Sequence, residues 1–162
     1  MGLGQNYDDT FDDINYTRDL KLKYNMIPIM FKYTGSASGV NFIGGVGVLY
    51  SMLNSAEQEW LADGNEYSFI SEDMNGEAFD VADKDVTDRF EKSDIVLNLE
   101  LGARINIIEH LYVDATLNFG YGLKDINAEA YRIPNTDNAY NKGHNAYAGF
   151  KVGIAYVLFG DE

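Results

Sequence analysis

From Asp94 to Leu123 the chain alternates apolar and polar residues with one brief interruption, and that pattern restricts the fold more than any other stretch. Ile95, Leu97, Leu99, Leu101, Ala103, Ile105 and Ile107 share one parity; Asp94, Val96, Asn98, Glu100, Gly102, Arg104 and Asn106 share the other. After Ile108-Glu109-His110 the alternation resumes, with Leu111, Val113, Ala115, Leu117, Phe119 and Tyr121 opposed to Tyr112, Asp114, Thr116, Asn118, Gly120 and Gly122. Successive Cβ atoms of a strand point to opposite sides, so a period of two predicts an antiparallel hairpin with one apolar and one polar face. The polar face mixes charges, carboxamides and glycines, while the apolar face carries no charge at all.

A soluble sandwich also alternates in this way. The two strands are each about twice the usual 5–6 residues. They match the roughly 9–11 tilted residues of a strand that crosses a membrane, apolar toward lipid and polar toward the lumen. Twelve Tyr, nine Phe and sixteen Gly against two Pro fit a β-rich chain. The 162 residues suit one domain, 1–162. A net charge of −14 excludes the basic footprint that nucleic acid requires. Without cysteine there is neither a disulfide framework nor a thiolate metal site. No apolar run approaches the length of a transmembrane helix, which leaves a transmembrane barrel open.

In chain order, residues 1–19 are polar and acidic and read as a loop. An extended segment begins at Leu20, with Ile27, Ile29, Phe31 and Tyr33 on one face; Pro28 implies an edge or bulge there. Residues 34–39 read as a turn, followed by a strand from Val40 to about Leu53 with Phe42, Val46, Val48, Tyr50 and Met52 on one face. Gly45, Gly47 and Ser51 lie on its other face, as in a crowded barrel interior. Residues 54–92 carry twelve acidic residues and read as a long acidic loop facing outside, with Asn75-Gly76 turning a small hairpin. A second polar loop spans 124–144, and a last strand runs Asn145–Phe159 with Ala148, Phe150, Val152, Ile154, Tyr156 and Leu158 outward. Connections thus alternate short and long, the outer-membrane barrel arrangement.

At this point the chain resembles the small bacterial outer-membrane β-barrels of the porin-family or PorT-like type. The resemblance rests on Tyr24-Asn-Met-Ile-Pro-Ile-Met-Phe-Lys-Tyr33, the glycine-rich Phe42–Tyr50, Asp94–Ala103 and Tyr121–Asn127, in that order over residues 20–159. It implies an all-β, up-and-down antiparallel transmembrane barrel in the bacterial outer membrane, non-enzymatic, with outer-membrane lipid and other envelope proteins as partners. Such barrels usually have eight strands and five are readable here, so the expectation is an N-terminally incomplete barrel. No signal peptide precedes the acidic Asp8, Asp9, Asp12 and Asp13, which agrees with a missing N-terminus or else with a cytosolic chain. The alternative from another class is a soluble, lipocalin-like barrel with an apolar ligand inside. That would reverse the faces, turning Leu97, Leu99, Leu101 and Leu117 inward.

Candidate site residues follow from parity. Lys32, Glu100, Arg104, Asp114 and Lys151 fall on polar faces, as a charged lumen that selects solutes or as ion pairs that fill a narrow barrel. A three-residue turn at 108–110 sets Ile107 against Leu111, Arg104 against Asp114 and Glu100 against Asn118. Asp80, Asp83, Asp85 and Asp88 have the hard oxygens that Ca²⁺ prefers, but without EF-hand spacing they read first as a solvated acidic loop. His110 and His144, the two histidines, have no spacing that suggests a Ser/His/Asp triad. Tyr33, Tyr50, Tyr112, Tyr121 and Tyr156 stand near strand ends, where interfacial aromatic girdles belong. No cofactor motif is present.

Overall fold

The computed structural model describes residues 2–11, 13–35, 40–134 and 139–156. The remaining positions of the 34–39 turn and the strand end at 157–159 lie outside the described residues. The fold is all-β, with no α-helix among the described residues, and its main sheet is antiparallel and nearly closed, barrel-like. Its strands are β1 (Gly2–Phe11), β2 (Ile14–Thr34), β3 (Val40–Ala62), the short β4 (Asn65–Glu66), then, after β5 (Ile70–Glu72) and β6 (Ala78–Asp80) of a separate small sheet, β7 (Ser93–Ile108), β8 (Leu111–Gly122) and β9 (Ala146–Tyr156). The order is β1-β2-β3-β7-β8-β9, and β4 pairs with β3.

Three expectations are corrected. The expected N-terminal loop is largely strand: Gly2–Phe11 pairs with Ile14–Lys23, reversing next to Asp13 in the left-handed region, φ 63°. Among the described residues there are six long strands where five were expected. The long acidic loop is strand at its start, because β3 continues to Ala62 and then turns through Asp63 and Gly64, both at positive φ. Along that continuation Glu57 and Glu59 are exposed while Ala56 and Gln58 are buried, so its charges are the outer face of a strand. Pro28 lies beyond Lys23, the last residue of β2 that pairs with a described residue of β1. The Asn75-Gly76 hairpin forms as β5 and β6, with Gly76 at φ 81° and Asp73 accepting the Asn75 and Glu77 amides at 2.8 and 2.9 Å.

The chain divides into two compact units. The first comprises residues 1–26, 50–94 and 124–144. Its core is of the ordinary water-excluding kind: Leu20, Leu22, Tyr24, Ala56, Val86, Phe90 and Ile126 are buried together. Outer positions on its strands are polar, as at Lys21, Lys23, Glu57 and Glu59. Nearly all of the net charge of −14 belongs to this unit.

The second unit comprises residues 27–49, 95–123 and 145–162. Its burial is inverted relative to a soluble protein. Ile27, Ile29, Phe31, Phe42, Val46, Leu97, Leu99, Leu117, Phe119, Phe150, Val152 and Ile154 are exposed, whereas Val96, Asn98, Glu100 and Thr116 are buried. Apolar side chains in excess of a few hundred Å² at a surface mark a face that meets something other than water.

Candidate functional site

The second unit's buried polar face is built in rows across neighbouring strands. On β7, Glu100 is 3% exposed. Its two oxygens take one ammonium each: Lys32 Nζ from β2 at 2.6 Å and Lys151 Nζ from β9 at 2.6 Å. A carboxylate removed from water is costly unless paired and hydrogen-bonded, and here both oxygens are. The lysine reaching from β2 crosses β3 at Gly45, where an added Cβ would lie 3.3 Å from Lys32 Cγ and 3.4 Å from Glu100 Cβ. Glycine at that position keeps the path open.

A second row runs one step along the strands. Tyr147 on β9 donates its hydroxyl to Asn98 Oδ1 at 2.7 Å, and Asn98 Nδ2 lies 3.6 Å from Met30 Sδ on β2. The tyrosine ring lies over Gly120 of β8, where a Cβ would meet ring carbon Cε1 at 2.1 Å. Gly47 of β3 is similarly covered, its Cβ position 2.2 Å from the Ile29 carbonyl oxygen and 2.7 Å from Met30 Sδ. Below it, Thr116 is fully buried and accepts from Asn118 Nδ2 at 3.2 Å.

The third row is the pair Arg104 and Asp114. They are register partners, and the guanidinium grips the carboxylate with two parallel bonds, Nε to Oδ1 at 2.7 Å and Nη2 to Oδ2 at 2.8 Å. The Tyr112 ring lies 5.0 Å from Arg104 Cζ. The β7–β8 register holds Glu100 to Asn118 and Leu101 to Leu117, the pairing expected from parity. The turn differs. Ile108, not Ile107, pairs with Leu111 across Glu109-His110, and the register shifts between Asn106 and Ile108. His110 takes φ 66°, so a two-residue turn with an irregularity before it closes the hairpin in place of a three-residue one.

All five charged candidates therefore stand on one face of the second unit, and parity located them. Asn98, Tyr147 and Met30 were not singled out, although the glycines at 47 and 120 beside them mark where a long side chain crosses a strand.

No protein-family model, curated protein or solved structure matches this chain.

The four loop aspartates do not converge. Asp80 accepts the Ser68 hydroxyl and the Ala82 amide, Asp83 holds Arg89 at 2.8 Å, and Asp85 accepts the Thr87 amide and hydroxyl at 3.1 and 2.7 Å. Asp88 is exposed in the 3-10 turn Thr87–Arg89. Among the described residues no group of three or more potential metal ligands occurs. These carboxylates organise turns: the Ser68 hydroxyl holds the Asp80 carboxyl below its ordinary range, and the Thr87 hydroxyl does the same for Asp85. The Glu77 amide lowers that of Asp73. Elsewhere in the first unit, burial raises the phenol of Tyr140, which donates to Asp125. His110 lies in the hairpin turn, 3.8 Å from Glu109.

Proposed function

We propose that this protein is an integral β-barrel of the bacterial outer membrane, related to the porin-family or PorT-like barrels, with a structural, envelope or passive pore-like role and acidic segments facing outside. One observation carries the reading: the second unit exposes an uncharged apolar face on β2, β3, β7, β8 and β9 while burying Glu100, Asn98 and Thr116. In water that arrangement wastes apolar burial at about 25 cal/mol per Å²; in hydrocarbon it is the stable one, since charges on the lipid face are costly. From Ile27 to Tyr33 the outward-parity face of β2 is wholly apolar, about 20 Å of extended chain, against an apolar band of roughly 25 Å in such barrels. The lipocalin-like alternative asks for Leu97, Leu99, Leu101 and Leu117 inside, and all four are exposed. The side-chain rows that fill the polar face favour a structural interior over a wide pore.

The test is folding into detergent or lipid, followed by the mobility shift of an unheated barrel on a gel. Leu99→Arg and Leu117→Arg are each expected to cost about 2–4 kcal/mol near the bilayer midplane. Glu59→Arg, on the exposed face of β3 in the first unit, is the control and leaves folding unchanged. Equal folding of Leu99→Arg and parent, or a parent that is monomeric and folded in plain buffer, refutes membrane insertion and returns the lipocalin-like reading.

A further inference from the structure

In the first unit, three segments of chain frame a cavity of about 360 Å³: the end of β3, β4 with the residues that follow it, and residues 80–84 leading out of β6. Backbone bonds tie the frame together. Tyr67 N donates to Trp60 O at 3.3 Å, Val81 N to Phe69 O at 3.0 Å and Gln58 N to Lys84 O at 2.9 Å. The buried Gln58 side chain braces it further. Its Nε2 donates to the Val81 and Asp83 carbonyls at 2.6 and 3.1 Å, and its Oε1 accepts from Trp60 Nε1 at 3.3 Å and Arg18 Nε at 3.0 Å. A carboxamide offers two donors and two acceptor sites, so this one is fully committed and holds the Trp60 ring in place.

The lining brings together Glu59, Trp60, Glu66, Tyr67, Asp80 and Lys84. The β3–β4 register pairs Leu61 with Glu66, and one step further sets Trp60 opposite Tyr67, so both rings stand on one face of the hairpin. Both are partly exposed. Tyr67 is steadied by Tyr16 and Phe69, whose ring centres lie 5.3 and 5.8 Å away. Arg18 lies 5.4 Å from the Trp60 ring centre but lines a different cavity. Two of the three carboxylates have partners: Asp80 accepts the Ser68 hydroxyl and the Ala82 amide, and Glu66 holds Lys84 at 3.2 Å. Glu59 differs. It is exposed, and among the described residues no hydrogen bond or ion pair engages its carboxylate.

We propose that this cavity binds a small organic cation, a primary alkylammonium with a compact hydrocarbon body. The ammonium takes the open Glu59 carboxylate through charge-assisted hydrogen bonds, and the hydrocarbon lies against Trp60 and Tyr67, aromatic rings that also attract positive charge. The volume lies at the lower end of ligand pockets, about 300–1,000 Å³, which fits a single ring or a short chain. Three carboxylates against one lysine, in the unit that carries nearly all of the net charge of −14, draw cations and repel anions. The carboxylates do not converge as a set of three metal ligands, so the apolar body defines the ligand together with its charge. The inference is independent of the membrane reading, because every residue it uses belongs to the first unit.

Trp60 is the chain's single tryptophan, so its fluorescence reports the cavity directly. The full chain, in whichever of detergent or buffer it folds, is titrated at constant ionic strength with cyclohexylammonium, neutral cyclohexanol, glucose and calcium. Calorimetry repeats each titration, so that binding silent in fluorescence is also seen. Cyclohexylammonium is expected to bind saturably, and the other three more weakly by about tenfold or more. Glu59→Gln, at an exposed position, is expected to weaken cyclohexylammonium about tenfold. Lys84→Met removes the lysine of the lining together with an exposed ion pair that contributes little to stability, and should tighten binding about threefold. Cyclohexanol or glucose binding as tightly as cyclohexylammonium overturns the proposal, as does calcium competing with it at equal concentration. Unchanged affinity in Glu59→Gln, weaker binding in Lys84→Met, or no saturable response by either method overturns it as well.

Discussion

Breaking the Arg104–Asp114 pair tests the polar face of the second unit most directly. The two bonds, 2.7 and 2.8 Å, are of the charge-assisted bidentate kind. Two unit charges about 4 Å apart at an effective dielectric near 20 attract by about 4 kcal/mol before desolvation is charged against them. Removing one partner of a fully buried pair costs about 3–5 kcal/mol, while an exposed pair contributes about 0–1 kcal/mol. The side chains here are 25% and 20% exposed, nearer the buried limit, so each single alanine substitution is expected to cost about 2–3 kcal/mol. The two singles are not equal. A stranded Arg104 retains the Tyr112 ring at 5.0 Å, worth about 0.5–1 kcal/mol, whereas a stranded Asp114 has no such ring. Arg104→Ala should therefore exceed Asp114→Ala by roughly that amount, and Tyr112→Leu should shrink the difference.

The double substitution removes both charges and leaves neither stranded. Its cost should fall short of the sum of the singles by about 1–3 kcal/mol. Urea unfolding in detergent micelles, followed by far-ultraviolet circular dichroism and by gel mobility, measures all four corners of the cycle. If the singles add to the double within about 0.5 kcal/mol, the charges are not coupled and the polar face is too wet or too loose to act as described.

The glycines of the same face separate into two classes. Gly102→Ala drives a methyl to 2.2 Å from the Ala115 carbonyl oxygen, which cannot yield, and should cost about 1–3 kcal/mol; Gly153→Ala, with nothing within 4 Å, should be neutral in the same urea experiment. The atoms nearest a Gly120→Ala methyl are those of the Tyr147 ring, so it should match Tyr147→Phe, about 1 kcal/mol, through loss of the bond to Asn98; a cost well above that of Tyr147→Phe would refute the crossing-side-chain account. In the first unit, hydrogen bonds hold Asp73, Asp80 and Asp85 below the ordinary 3.8, so their contribution is complete above that value and is lost as pH falls through the lower folded-state values. Amide resonances of Glu77, Ala82 and Thr87 should thus hold steady on acidification until below 3.8; loss of those shifts near neutrality would contradict the assignment.

How far the sequence could be read followed from where one periodicity held. Between Ile95 and Tyr121 the parity never slips, so faces, register and the opposition of Arg104 to Asp114 were all legible. The turn was not, because parity is blind to one irregular residue at a strand end, and the shift before Ile108 is such a residue. In β3 the inward parity changes from odd at Ile43, Leu49 and Ser51 to even at Ala56 and Gln58. A reader following one phase loses the strand near Leu53, and the charges of Glu57 and Glu59 then look like loop. Gly2–Phe11 has no alternation to follow, so only its pairing with β2 makes it strand. The hydrogen-bonded cluster of Arg18, Gln58 and Trp60 is hidden for the same reason, because Gln58 and Trp60 share a parity in the part of β3 that a single phase does not reach.

The second unit's glycines also bear on what its interior does. Lys32, Met30 and Tyr147 each span an intervening strand to reach a residue of β7, over Gly45, Gly47 and Gly120 respectively. Replacing a glycine by a larger residue would hold those side chains apart, and keeping it lets them close over the sheet. A lumen selected for flow would gain from shorter inward side chains on β2 and β9. These strands instead supply a lysine, a methionine and a tyrosine that meet above β7, and both oxygens of Glu100 are occupied by ammonium groups rather than left to water. For the proposed barrel, a solute at this level meets Lys32 and Lys151 bound to Glu100 yet still 43% and 49% exposed, so the row narrows the interior and favours an envelope or anchoring role over conduction. Shortening Lys32 and Lys151 together to alanine would strand Glu100 and widen the interior at once. Ion conductance that rises in planar bilayers of that variant while the parent is silent is the expected result, and equal conductance of the two would refute the plugged interior.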